Sequence, residues 1–356
     1  MSLLDHKLVQ ISAILTLPRG TQLCYQARDN ELARAVRTQI EWTTFTVINP
    51  LQRHLSLRPL ILWLNGRRID QLISDEIDQK LQEKSREDTD SQQTSSIVDM
   101  LLADVNLDAN MESQRQIKAT IIPQIRAFLF GGHDTTSSTL LYCYYLLAEH
   151  PDVLDRVLAE HNEVFGSDAA STQDLLHHDP LLLNKLPYTT AVMKEVLRIF
   201  PPAASIRIGR PGATITDDDG KVYPTEGCNV WTLTLAIHHN PKYWPDPEAF
   251  KPERWLVDPS HELYPVKGAW RPFHHGPKNC IGQPLAMLEL KTCLVMTLRE
   301  FCITPAYDQW DVMHSKAGED TKICTVNGYR AYQAEKGGGG AHPADGFPVK
   351  VTLRTK

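Results

Sequence analysis

Apolar positions between Gln114 and Glu149 recur at helix spacing. Ile121, Ile122, Ile125, Phe128 and Leu129 fall three or four residues apart, and Pro151 closes the stretch. The pattern predicts one long, strongly apolar helix. Further helices are predicted over 152–164, 186–199 and 283–300. Ahead of them, the first 80 residues read as helical segments broken at Pro50 and Pro59, and residues 82–96 as a polar, solvated loop. The pattern changes over 203–238, where Gly212, Gly220 and Gly227 punctuate short runs rich in Ile, Val, Tyr, Trp and Thr, which predict strands. Four prolines in 241–256 predict an extended meander. Near the end, the Gly337–Gly340 run reads as flexible and Phe347–Leu353 as a last strand. The sum is a mainly α chain with a small β portion in its second half, without internal repeats.

Length and composition narrow the class. The 356 residues are 42% hydrophobic and 22% charged, enough for a sizeable core in one large domain or two ordinary ones. A net charge of -6 gives no general attraction to nucleic acid, so no nucleic-acid partner is expected. The seven cysteines are scattered and include no Cys-x-x-Cys pair. That excludes a disulfide framework or zinc site of the usual spacing and fits a reducing compartment. Near Met1 the sequence shows neither an apolar run of bilayer-spanning length nor the pattern of a signal peptide.

The densest chemical signal is Phe273-His-His-Gly276-Pro-Lys278-Asn-Cys280-Ile-Gly282. A thiolate that ligates iron needs donors aimed at its sulfur. Gly276 can take a left-handed or otherwise strained conformation without a Cβ penalty. Gly282 leaves room where the loop enters a helix, whose positive end lies near the sulfur. Phe273 is expected to shield the sulfur from water. Two further patterns accompany the loop. Glu195-Val-Leu-Arg198 puts a carboxylate and a guanidinium on one helix face, with Phe200-Pro-Pro after it and Pro252-Glu-Arg254-Trp later. Gly131-Gly-His133-Asp134-Thr135-Thr lies within the long helix. There the Thr135 hydroxyl is expected to bond the Gly131 carbonyl and open a turn.

Phe-x-x-Gly-x-x-x-Cys-x-Gly resembles the haem-binding signature of the cytochrome P-450 superfamily, and the other motifs stand in that family's order. Segments such as RPLILWLNGRRID and LPYTTAVMKEVLRIFPP are similar to filamentous-fungal members of secondary metabolism. The resemblance implies the following. The fold is the cytochrome P-450 fold, and residues 1–356 form a single haem-binding domain, incomplete at its N-terminus. Missing would be an anchor, the first helices and the helix whose Trp-x-x-x-Arg binds a haem propionate. The cofactor is haem b, with Cys280 as iron ligand and Phe273, Gly276, Lys278, Gly282 and Arg207 around it. Glu195, Arg198 and Arg254 form a structural triad. Asp134 and Thr135 are the acid and alcohol of a proton relay, while His133 is not a ligand. Phe128, Leu129, Ala203, Ala204 and Ile206 line the substrate pocket. The activity is oxidation of a hydrophobic small molecule with O2, electrons coming from a separate NADPH-cytochrome P-450 reductase. The family is anchored to the endoplasmic reticulum facing the cytosol; without an anchor the expected place is cytoplasmic or peripheral. The alternative is a truncated, catalytically inactive haem-binding remnant. A plain helical scaffold leaves the ordered motifs unexplained.

Overall fold

The computed structural model describes residues 31–43, 57–86, 98, 102, 111–314, 325–334 and 340–354. They divide into two compact units, with the boundary between Ser137 and Ser138.

The first unit is helical. α1 (Glu31–Trp42), α2 (Arg58–Arg86) and the first part of α3 (Met111–Glu149) supply its core. Each contributes a stripe at helix spacing: Leu32, Ala35, Val36 and Ile40 from α1, Ile69, Ile73 and Ile77 from α2, Ile121, Ile125 and Leu129 from α3. Val98 and Leu102 join the same cluster. Asn65 Nδ2 donates to the Ala35 carbonyl at 2.7 Å and ties α2 to α1. The ion pairs Arg68–Glu31, Lys118–Asp78 and Arg126–Asp70 lie in partly solvated positions, where such pairs contribute about 0–1 kcal/mol each.

The second unit carries the remaining helices and small sheets. The main helices are α4 (Pro151–Phe165), α5 (Thr172–His178), α6 (Pro187–Ile199) and α8 (Gln283–Leu298), with the short α7 (Thr234–His238) and α9 (Tyr307–His314). α6 is its central element, with Val192, Met193 and Glu195 through Ile199 all fully or almost fully enclosed. The sheets are antiparallel pairs. β1 (Ser205–Ile208) pairs with β4 (Asn229–Thr232), β2 (Thr214–Thr216) with β3 (Val222–Pro224), and β5 (Phe301–Pro305) with β8 (Val349–Leu353); β6 (Gln333–Ala334) pairs with β7 (His342–Pro343). Gly209, just after β1, cannot be replaced: an added Cβ would lie 1.7 Å from the Thr225 carbonyl oxygen.

The mainly α class with a small β portion stands. Several boundaries differ from the sequence reading. Pro59 does not break a helix but occupies the first turn of α2, where its missing N–H has no helical partner to lose. Residues 82–86, read as loop, continue α2; 87–96 lie outside the described residues, as do Pro50 and most of the Gly337–Gly340 run. Residues 234–238 form the short helix α7, not strand. The meander is a series of turns ending in a 3₁₀ turn at Pro252–Trp255, because its prolines set φ but its carbonyls still close local hydrogen bonds. α3 runs unbroken through Gly131–Thr135, so the expected opened turn is not present. No helix among the described residues is long and apolar enough to cross a membrane.

Candidate functional site

The cysteine loop begins at Arg271. The His274 amide donates to the Arg271 carbonyl at 3.1 Å, with His274 at φ 65. The Cys280 amide then reaches back to the Phe273 carbonyl at 2.8 Å and closes the loop. Between them Gly276, at φ 79, opens a 3₁₀ turn over Gly276–Lys278. That backbone region favours glycine over any residue with a Cβ. α8 starts at Gln283 with Gly282 as its cap, so Cys280 stands just ahead of a helix N-terminus. Cys280 is exposed. Phe273 packs edge-on against Trp270, ring centroids 6.0 Å apart.

Arg207 belongs to the same neighbourhood. Its Nη1 donates to Ser205 Oγ at 2.6 Å and to the Ile206 carbonyl at 2.8 Å. Burial and then the Arg207 charge hold His274 below its ordinary pKa. Lys278 is exposed in the loop. Ile281 (88% exposed), next to the thiol, and Leu285 and Leu288 at the start of α8 are exposed apolar side chains. A further apolar exposed edge is offered by Ile206 and Ala204, with Ala203 half-buried.

These residues fit a haem. Among the described residues no group of three His, Cys, Asp or Glu side chains could hold a bare metal ion. A single exposed thiol is a donor that suits iron in a porphyrin, which brings its other ligands with it. The exposed apolar stripe beside it suits a flat, largely apolar group. An added Cβ at Gly282 would sit 3.7 Å from the sulfur, in space that this glycine leaves open.

Behind the loop, Glu195, Arg198 and Arg254 meet with their side chains fully buried. Arg198 grips both carboxylate oxygens, Nε to Oε2 at 3.1 Å and Nη2 to Oε1 at 2.8 Å. Arg254 Nε adds a bond to Oε1 at 3.2 Å. Trp255 Nε1 donates to Oε2 at 3.0 Å and the Lys251 amide to Oε1 at 3.1 Å. Arg198 also donates to the carbonyls of His238, Pro247 and Ala249, and Arg254 to that of Asp246. The helix pattern does not reveal Trp255 as a partner, although its place beside Arg254 is a usable signal. Trp270, whose Nε1 donates to the Lys194 carbonyl at 3.1 Å, carries no such signal.

In the first unit, Thr135 Oγ1 donates to the Gly131 carbonyl at 2.7 Å, the bond expected from its spacing. Asp134 beside it is partly buried. Leu129 packs in the core of this unit, while Phe128, one residue and about 100° earlier on the helix, is 41% exposed. Val36, Gln39, Thr43, Ile69, Pro123, Arg126, Ala127, Leu129 and Phe130 line a cleft of about 410 Å³ in this unit. A Trp-x-x-x-Arg spacing, expected to be missing, is present at Trp63 and Arg67 in α2. The guanidinium lies over the indole at 4.9 Å.

Two enclosed histidines give the second unit an acid sensitivity. Burial, then the Arg299 charge, lowers His161 from its ordinary 6.5 to about 4. Burial lowers His238 from 6.5 to about 3. The folded-state values lie below the unfolded ones, so the folded chain binds fewer protons below pH 6.5. Stability present above that pH is lost as the pH falls toward about 4. The urea midpoint should therefore drop through this window, and His161→Gln should flatten the drop. An unchanged slope in the variant would show that His161 is not held neutral.

A family model described as Cytochrome P450 matches residues 10–322. The cytochrome P450 monooxygenase polC of Polytolypa hystricis is 40% identical over 332 residues, covering 91% of this chain and 58% of polC. The cytochrome P450 monooxygenase acrF of Aspergillus aculeatus is 34% identical over 250 residues, covering 65% of this chain and 50% of acrF. The chain thus spans between half and three-fifths of the length of these relatives. The crystal structure of the cytochrome P450DA heme domain shares the fold, with a TM-score of 0.65 at 20% identity, over 92% of this chain and 62% of that one.

Proposed function

The chain belongs to the cytochrome P450 family, and from that premise we propose that it is the haem-thiolate portion of a monooxygenase that oxidises a hydrophobic small molecule in fungal secondary metabolism. The observation that carries this reading is the exposed Cys280 thiol, set in a glycine-framed loop at the head of α8 beside an apolar stripe. In this reading residues 1–356 act as one haem domain. Haem, bound through the Cys280 thiolate, supplies the activation of O2.

The chain's own residues hold and feed that group. Cys280 would hold the haem iron through its sulfur. Gly276 shapes the loop, Gly282 leaves space beside the sulfur, and Phe273 anchors the loop against Trp270. Arg207 and Lys278 neutralise propionates. Glu195, Arg198 and Arg254 keep the loop's support rigid. Thr135 Oγ1 donates to the Gly131 carbonyl; with Asp134 beside it, the hydroxyl would carry the proposed relay by releasing its own proton as it takes one from the Asp134 side. The cleft walled by Val36, Ile69, Pro123, Ala127 and Phe130 in the first unit favours an apolar ligand; Phe128, Leu129, Ala203, Ala204 and Ile206 are the residues proposed to face the substrate. Electrons come from a separate NADPH-cytochrome P-450 reductase.

The test is coupling. With haem and reductase supplied, Thr135→Ala should bind haem as the parent does, while product per NADPH falls by roughly an order of magnitude or more and peroxide rises. Equal coupling in the two chains would remove Thr135 from proton delivery. Absence of any reductase-dependent oxidation by the parent would overturn the monooxygenase reading.

A further inference from the structure

The last carbonyls of a helix have no partner within it. At the C-terminal end of α6 two consecutive imidazoles meet them. His238 Nδ1 lies 2.9 Å from the Arg198 carbonyl, and His239 Nε2 lies 3.0 Å from the Ile199 carbonyl. The two differ in what their other nitrogens do. His239 Nδ1 turns outward to Glu248 at 3.0 Å. His238 Nε2 accepts the Arg271 amide at 2.9 Å, at the residue that starts the cysteine loop. A carbonyl only accepts and an amide N–H only donates. The neighbours therefore fix His238 as the neutral tautomer with the proton on Nδ1.

The ring is fully enclosed, so both bonds are made without competition from water. Loss of either leaves a buried polar group without a partner. Arg198 returns a bond from Nη1 to the His238 carbonyl at 3.0 Å, and Trp244 packs edge-on to the imidazole at 6.3 Å between centroids. The ring cannot turn without breaking this set. From Arg271 the backbone passes through two closures, His274 to Arg271 and Cys280 to Phe273. A shift at Arg271 is thus transmitted to the cysteine.

We propose that His238 is the positioning residue for the thiol: a single imidazole that measures the distance from the end of α6 to the start of the cysteine loop and so sets where Cys280 stands. The inference rests on the reading of Cys280 as the haem ligand, but its geometry does not need haem to be present. His239, one residue on, caps the same helix without reaching the loop and serves as the internal control.

The experiment is amide hydrogen exchange across residues 271–282 in the full chain without haem. A companion measurement is the ferrous carbonyl spectrum after haem loading. His238→Phe keeps the ring volume and removes both bonds. Exchange at Arg271 and Cys280 should rise by about ten- to a hundredfold, and the thiolate band should give way to the thiol-type band. His239→Phe should leave both unchanged. A second pair of variants decides the matter even if His238→Phe does not fold. His238→Gln places an oxygen near the Nε2 position and should retain loop protection. His238→Asn places its amide near Nδ1, caps the helix, and should lose it. Equal protection in the Gln and Asn variants, or equal loss in His238→Phe and His239→Phe, would overturn the proposal. A parent chain with no thiolate band but a protected Arg271 amide would instead reject Cys280 as ligand and leave the His238 tie standing.

Discussion

Cys280→Ala is expected to abolish the red-shifted Soret band of the ferrous carbonyl complex in the haem-loaded chain, with the other cysteine substitutions leaving it in place. Among the described residues, Cys143 and Cys293 are buried, and burial pushes both thiols up, that of Cys293 to about 12. Neither is available as a thiolate near neutral pH. Cys228 is exposed, but it lies in the turn before β4 and not at the head of a helix. Among the described residues only Cys280 combines an exposed side chain with a place at a helix N-terminus. Haem affinity should fall with the band, because the variant lacks the sulfur that would hold the iron. Retention of the band in Cys280→Ala, or its loss in Cys228→Ala, would reject the assignment.

Glu195→Gln is expected to destabilise the second unit far more than the loss of a solvated ion pair does. The carboxylate accepts from Arg198, Arg254, Trp255 and the Lys251 amide, all inside the unit. Two buried guanidiniums would then lack a counter-charge. Breaking such a set costs about 3–5 kcal/mol, a large share of the roughly 5–15 kcal/mol that keeps a domain folded. Arg156→Gln, which removes a half-exposed pair with Glu253, should cost only about 0.2–1 kcal/mol. Urea unfolding of the two variants side by side gives the comparison. A Glu195→Gln loss no larger than that of Arg156→Gln would mean that the triad is not the unit's keystone.

The parts of this site written into the sequence are those whose partners lie within a turn or a short motif. Thr135 and Gly131 are four apart on one helix, and Glu195 and Arg198 three apart. Gly276 and Cys280 share a loop whose spacing is its signature. The apolar stripe of α3 likewise announced its helix. The bonds that hold the loop in place were not legible, because they join residues far apart in the chain: His238 with Arg271, Trp270 with Lys194, Lys251 with Glu195. The sequence reading of 234–238 as strand shows the same limit. Its β-branched and apolar residues suit either form, and the need to bring His238 under α6 selects the helical turn. The error at Pro59 was local: a proline in the first helical turn reads the same as a helix breaker until the residues after it are seen to be helical.

Arg198 and Arg254 take hold of the meander almost wholly through peptide oxygens, those of His238, Asp246, Pro247 and Ala249. Such recognition is blind to the side chains it passes. In a saturation screen of residues 240–250 the tether would tolerate nearly any letter at Lys242 or Glu248 that preserves the path of the chain, while Asp246, at φ 46, and Trp244, fully enclosed, would tolerate few. Drift in the text of this segment therefore leaves its anchorage untouched, and relatives could diverge here freely while Arg198 and Arg254 stay fixed.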